Sequence, residues 1–468
     1  MRSHHVIGLL FAALMFVGAG VGCKGEQPGT SGASSRRPNL LLLVSDDQGT
    51  VLGCYGNTGV QTPELDALAA GGTRFTRAYS PSGVCTPSRS SIYTGLMPAR
   101  HGATGFQAVN DDVTVWGEYF ARAGYRSGLI GKIGAKPVSR FNFDFISRSD
   151  KDDADARNLQ WHLDELDSFL GEDDGRPWVL VMNFRDSHWP FPTDGAPFGE
   201  DSPPPHSPDA VVVPETLTDT PVVRAEIARF YDGLRRQDAS VGAIVARLGE
   251  RGQMENTLGL FTSDNGPPFP FAKTTLFEAG IHMPMIAWGS GVDRGAVRSE
   301  LVSLVDVLPT FLDAAEYEGN GPAPFNGRSM LPLLRGESGA AGSSDAWRTA
   351  LFATHDSHRV QPDIPSRSVL MGDWKYTRTW SKGRLFNNLV MATSDTWREM
   401  VAAADAGDEV LVARLTRYVQ RPDEELFNLS ADPFELNNLA GRPEHQQVLE
   451  KARELLATTD WLELPSDD

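Results

Sequence analysis

The sequence predicts an α/β protein: a large, mostly parallel sheet flanked by helices, with a smaller α+β subdomain toward the C-terminus. Three observations predict it. Residues 39–44, 178–184 and 258–262 are apolar runs too short for helices, as strands covered on both faces are. Segments with helical character alternate with them. Polar, chemically capable residues follow the runs: Asp46 and Asp47, Lys132, His188, and Asp264 with Asn265. In open α/β sheets the ligand crevice lies outside the carboxyl ends of the strands, so these segments converge on one site.

The elements follow in order. Residues 1–22 contain Arg2 and then an apolar run ending before Cys23, a signal-peptide pattern that places the chain in an export pathway. Gly20-Val21-Gly22-Cys23 resembles a bacterial lipobox with Gly20 where leucine is usual; an ordinary signal peptide cut nearby is the alternative. Export leads to the periplasm, or to the membrane through a lipidated Cys23. Residues 23–37 read as a flexible, Gly/Ser-rich tether. Strand 39–44 opens a catalytic domain over 38–336. Thr62-Pro63-Glu64 caps a helix to about Ala70. Residues 114–123 read as a helix, 125–130 as a strand ending in Gly131-Lys132, and 178–184 as a strand ending in Arg185-Asp186-Ser187-His188. A long helix covers 221–249 and a strand 258–262. Residues 336–344 form a linker or exposed loop. The subdomain 345–468 contains a strand over 369–377 and a terminal helix over 444–457.

Composition narrows the partners. Across 468 residues the formal net charge is −18, which argues against nucleic acid and requires a local cluster of cations for any anionic substrate. Of three cysteines, Cys23, Cys54 and Cys85, the last sits in Cys85-Thr86-Pro87-Ser88-Arg89 at the start of a helix. Cys85 reads as a disulfide half paired with Cys54, a metal ligand, a thiol nucleophile or a modified residue. No Cys/His spacing supports zinc. Asp46, Asp47, Asp264 and Asn265 offer hard oxygen donors suited to Ca²⁺ or Mg²⁺; solvated turns are the alternative.

Cys85-x-Pro87-x-Arg89 matches the signature of the formylglycine-dependent sulfatases. Ser45-Asp46-Asp47, Thr94-Gly95, His101-Gly102, Gly131-Lys132 and Ser263-Asp264-Asn265-Gly266 resemble the family's other landmarks. So do Glu425-Leu426-Phe427-Asn428-Leu429, Asp432-Pro433 and Asn438-Leu439. The resemblance covers the chain from about Pro38 and implies an alkaline-phosphatase-like fold. It further implies conversion of Cys85 to formylglycine by a formylglycine-generating enzyme. One hydroxyl of the hydrated aldehyde would attack sulfur and the other would expel sulfate. The implied metal ligands are Asp46, Asp47, Asp264, Asn265 and modified Cys85. Arg89 would face the diol, Lys132 and Lys273 would hold sulfate oxygens, and His188 would contact sulfate or protonate the leaving group.

Segments around Pro267–Leu276 and 137–144 resemble sulfamidases, the heparan N-sulfatases. In that likeness His358 would bind substrate, while Arg359 stands where a glutamate is expected. The family commonly reads Gly-Lys-x-His, and here the chain reads Gly131-Lys132-Ile133-Gly134. The missing histidine is expected to slow the breakdown of the sulfated intermediate, with Lys136 as a substitute base and Gly134→His as a gain of turnover. The implied activity is hydrolysis of sulfate esters or N-sulfates on a sulfated polysaccharide or oligosaccharide. The alternatives are a non-catalytic sulfated-glycan-binding lipoprotein and a phosphoryl-transfer relative.

Overall fold

The computed structural model describes residues 37–148, 157–192, 204–319, 325–337, 347–358, 363–459 and 464–465. The signal peptide, Cys23, nearly all of the tether, Arg359 and most of the 336–344 linker lie outside them.

The central sheet contains β1 (Asn39–Ser45), β2 (Thr73–Tyr79), β3 (Arg126–Gly131), β4 (Phe145–Ser147), β5 (Trp178–Asn183), β6 (Thr257–Ser263), β7 (His282–Gly289), β8 (Ala296–Arg298) and β9 (Val302–Ser303). Their order is β4-β3-β5-β1-β6-β7-β2-β8, with β9 also on β2. Among the described strands of this sheet, only β7 runs against its neighbours, β6 and β2. β1 shows why the run is apolar throughout. Leu40, Leu42 and Val44 enter one core with Trp116, Phe120 and Phe311. Leu41 and Leu43 enter the other with Leu166, Phe169 and Ile244. Helices Trp116–Arg122 and Val307–Ala314 cover the first face, and Leu159–Gly171 and Pro221–Glu250 the second. Both faces are dry, so the strand has no polar side.

Register sets the carboxyl ends level. Ser45 pairs with Ser263, and Asn183 pairs with both Val44 and Gly131. The residues that follow, Asp46, Asp264 and Lys132, therefore emerge side by side. β2 also ends on this edge, and its exit loop leads into helix Cys85–Thr94. That helix is buried along its whole length despite its hydroxyl-rich sequence; the hydroxyls of Ser88, Ser91 and Thr94 have partners, and that of Ser90 has none. Ser88 Oγ donates to the Asp264 carbonyl at 2.6 Å, and Thr94 Oγ1 to the Ser90 carbonyl at 2.8 Å. Ser91 Oγ lies 3.0 Å from His101 Nε2, while His101 Nδ1 accepts from the Ala103 N–H. Burial lowers the His101 pKa to about 3, so its ring is neutral with the proton on Nε2.

A second, antiparallel sheet runs β10 (Ala350–His355), β11 (Ser366–Met371), β12 (Trp374–Thr379) and β13 (Glu424–Asn428) in that order. Helix Gln446–Ala457 packs Leu449, Ala452 and Leu456 against Val369, Tyr376 and Leu426.

Three expectations are corrected. The single strand over 369–377 is a hairpin, turned at Gly372-Asp373 with Gly372 at φ 57°. Thr62 does not cap helix Pro63–Gly71; its Oγ1 accepts from the Gly53 N–H instead. The first-turn N–H groups of Glu64 and Leu65 are taken by Asp238, far along the chain, at 3.1 and 2.8 Å. Finally, Cys54 and Cys85 are both free thiols, which removes the disulfide.

Candidate active site

Each sheet-end residue arrives on a different strand. Asp46 and Asp47 follow β1, and Asp47 adopts φ 62°. Residues 186–187 continue the β1–β5 pairing past its end: the Ser187 N–H donates to the Asp46 carbonyl at 2.9 Å, and the Asp46 N–H to the Asp186 carbonyl at 3.4 Å. This brings Arg185 and His188 beside the aspartates. Arg185 Nη1 is 3.7 Å from Asp46 Oδ2, and His188 Nε2 is 3.7 Å from Asp47 Oδ2.

Each buried carboxylate has its own cation. Lys132 Nζ lies 2.9 and 2.6 Å from the two oxygens of Asp46. Lys273 Nζ is 2.5 Å from Asp47 Oδ2. Arg89 Nε is 2.7 Å from Asp264 Oδ2. Burial pushes the Asp46 carboxyl up, but the cations Lys132, Arg89 and Arg185 together hold it well below the ordinary range. Asp47 is lowered in the same way, with Lys273 the strongest opposing charge. For Asp264 burial wins over Arg89 and the pKa rises to about 6. Burial and the neighbouring Lys273 push His188 down to about 3, so its ring is neutral. Its Nδ1 donates to the Trp189 carbonyl, which leaves Nε2 facing the aspartates.

Arg89 is the hub. Beyond Asp264 it donates to the Asn183 side chain at 2.5 Å and to the carbonyls of Lys132 and Ser45 at 3.2 and 3.4 Å. One guanidinium thus joins the ends of β1, β3, β5 and β6. Its planar set of donors suits this, and lysine's point charge would not.

Cys85 opens onto a cavity of ≈ 600 Å³ lined also by Phe106, Lys132, Lys136, Arg148, Arg185, His188, Lys273 and His358. Its walls concentrate positive charge in an acidic protein, as an anion-binding site requires. His358 is buried and lies edge-on to Phe106 with ring centroids 5.2 Å apart. Sequence reading singled out neither Arg185, Arg148, Phe106 nor Asn183. Arg185 had a signal, since it shares a strand-end segment with His188; the others are brought in by folding alone.

The donor set fits a hard divalent cation. Asp46, Asp47 and His188 present ligand atoms within 4.8 Å of one another. Asn265 Nδ2 donates to Asp47 Oδ1 at 2.9 Å, while Asn265 Oδ1 is buried with no hydrogen-bond partner. An orphaned amide oxygen beside two carboxylates is the arrangement a cation would complete. Asp264 Oδ1 accepts instead from the N–H groups of Asp47 and Asn265 at 3.1 and 2.8 Å.

Gly134 acquires a reason here. It adopts φ 68°, and a Cβ at this position would meet Arg89 Cδ at 2.3 Å. The glycine lets Arg89 pass. This contact and the positive φ count against placing a histidine there. Lys136 is exposed, lines the cavity and has its Nζ 5.8 Å from the Phe106 ring centroid.

A family model described as Sulfatase matches residues 38–317. The chain belongs to the sulfatase family. A second model, described as N-sulphoglucosamine sulphohydrolase, C-terminal, matches residues 269–389 of this sulfatase. The human N-sulphoglucosamine sulphohydrolase is 31% identical over 462 residues, covering 91% of this chain and 90% of that protein. An ulvan-active sulfatase of Formosa agariphila is 26% identical over 431 residues, covering 90% of this chain and 79% of that protein. Among solved structures, BT4656 in complex with its substrate D-glucosamine-2-N,6-O-disulfate superposes with a TM-score of 0.70 at 19% identity, covering 92% of this chain and 100% of that one. The sulfatase is a sulfuric ester hydrolase with the alkaline-phosphatase-like fold.

Proposed function

We propose that this sulfatase removes sulfate from a sulfated carbohydrate, an ester or an N-sulfate, after Cys85 is converted to formylglycine. The observation that carries the reading is the cavity where Cys85, Lys132, Lys273 and His188 meet at the carboxyl edge of the sheet. The two relatives' names, an N-sulphoglucosamine sulphohydrolase and an ulvan-active sulfatase, support a glycan substrate. In this reading the catalytic domain is 38–336 and the C-terminal subdomain 345–468. The chain is exported, anchored or released according to the fate of Cys23.

Hydrated formylglycine at position 85 supplies the hydroxyl that attacks sulfur and the second hydroxyl whose deprotonation expels sulfate. Asp46, Asp47, Asp264, Asn265 and modified Cys85 would hold a Ca²⁺ or Mg²⁺ ion, which would supply positive charge to the sulfuryl oxygens. The chain's own residues do the rest. Residue 85 occupies the first position of its helix, so the helix N-terminal field favours an anion there. Lys132 and Lys273 exchange part of their contact with Asp46 and Asp47 for sulfuryl oxygens, so cations are already in place when charge develops. Arg89 holds the four strand ends and orients the base of the site. An anion bound beside His188 Nε2 raises that nitrogen's affinity for a proton, which equips it to protonate the leaving oxygen or nitrogen. His358 and Phe106 wall the side where the sugar lies.

The test uses protein made in a host with the maturation enzyme. Peptide mass spectrometry at position 85 and sulfate release from N-sulfated and O-sulfated glucosamine are measured on the same sample. An aldehyde or its hydrate with sulfate release supports the reading. A matured protein that binds these sugars without releasing sulfate favours a glycan-binding role.

A further inference from the structure

Lys273 sits in a loop whose conformation is costly. Its neighbours Phe271 and Thr274 adopt φ 63° and 68°. Positive φ is uncommon for any residue with a Cβ and a genuine outlier for a β-branched one such as threonine. Residues held this way persist only where the surroundings over-determine them.

The surroundings come from far along the chain. Asn388, fully buried, donates from Nδ2 to Thr274 Oγ1 at 2.7 Å and to the Tyr418 hydroxyl at 2.9 Å. Its Oδ1 accepts from the Met391 N–H at 2.9 Å, so the amide's orientation is set by three bonds. The Tyr418 ring packs on Phe271 with centroids 4.5 Å apart. Each strained residue is thus gripped by the segment between 388 and 418. From the other side the Thr274 N–H donates to the Gly83 carbonyl at 2.7 Å, two residues before Cys85, and the Lys273 N–H to the Pro267 carbonyl at 3.1 Å. Gly83 permits this approach, since a Cβ there would lie 2.2 Å from the Thr275 carbonyl oxygen.

We infer that Asn388 is a positioning residue for this reaction: its bond to Thr274 holds the strained loop that aims Lys273 into the cavity. The inference rests on the role proposed for Lys273 above. Without the bond, Thr274 relaxes toward negative φ, and the Lys273 ammonium leaves its place beside Asp47. The fold around the sheet stays intact.

The test compares kcat/KM for 4-nitrophenyl sulfate and thermal midpoints among matured variants. Asn388→Ala and Thr274→Val, which replaces the hydroxyl with a methyl group and keeps the β-branch, are each expected to lower kcat/KM about 10-fold, the scale of one strained backbone conformer. The Asn388→Ala/Thr274→Val double variant is expected to lose no more than either alone. Asn388→Ala/Thr274→Gly is expected to recover most of the loss, because glycine occupies positive φ without the Cβ penalty. Thr274→Val also protects the test against an Asn388→Ala protein that fails to fold. Wild-type kcat/KM in Thr274→Val, or no recovery with glycine in a folded protein, overturns the inference. Lys273→Ala separates the two layers: if it retains wild-type activity, the role assigned to Lys273 fails; if it loses activity while Thr274→Val does not, only the Asn388 inference fails.

Discussion

Arg89 Nε donates to Asp264 Oδ2 at 2.7 Å, and both side chains are fully shielded from solvent. The pair lies buried at the ends of the strands, and each partner is costly without the other.

Asp264→Ala is therefore expected to harm the fold as well as activity. It strands a buried guanidinium and leaves the N–H groups of Asp47 and Asn265 without their acceptor. Breaking a buried pair costs about 3–5 kcal/mol. Asp264→Asn, which keeps an acceptor oxygen, is expected to lose less stability while still losing turnover. Urea denaturation midpoints of the two variants check this, and equal stability of Asp264→Ala and wild type would contradict it.

Gly134→His is expected to lower turnover, not raise it. The new side chain begins with a Cβ in the path of Arg89 Cδ at 2.3 Å, at a backbone φ of 68°. Overpacking of this kind costs about 1–3 kcal/mol and displaces what it touches. Gly134→Ala, which adds the Cβ alone, is expected to share most of the loss. Thermal melting and steady-state kinetics on both variants decide; a histidine variant with wild-type melting and faster turnover sinks the claim.

Metal removal is expected to abolish sulfate release while leaving Cys85 maturation unchanged. Two carboxylates and an unpartnered Asn265 Oδ1 gather where a hard cation fits. Activity after exhaustive chelation, and after adding back Ca²⁺ or Mg²⁺, is the measurement. Full activity in the chelated protein would refute the ion's role.

His162 provides a pH-dependent test away from the site. Both ring nitrogens are buried without hydrogen-bond partners, and burial lowers the pKa to about 4. Between about pH 6.5 and 4 the unfolded chain binds a proton that the fold refuses. The stability present above pH 6.5 is therefore lost as pH falls, by roughly 2–3 kcal/mol from this group. His162→Leu is expected to flatten that slope and to raise stability at neutral pH, because it removes a buried polar ring that makes no bonds. Denaturant midpoints from pH 4 to 8 show the effect; an unchanged slope would argue against it.

How far the chain could be read follows from the range of the forces. Strands β1, β5 and β6 were legible because each carries an uninterrupted apolar run, and a strand dry on both faces has no other composition. The polar residues after them were legible as a site for the same reason, since parallel strands present their carboxyl ends together. Cys85-x-Pro87-x-Arg89 announced a helix start, and the helix begins at Cys85. These properties are local or follow from hydrophobic burial, and the sequence by itself determined them. The tertiary structure alone decided which groups meet. Asp238 displaced Thr62 as the acceptor at its helix because a residue 173 positions away from Leu65 folds back onto that end. Gly134 reads in the sequence as a missing histidine, and only the fold puts Arg89 Cδ in the path of a side chain there. Asn388 carries no sequence mark of a role, because its bond to Thr274 spans 114 residues. Hydrogen bonds and contacts of that span exist only after the sheet has set its register, and no periodicity along the chain records them.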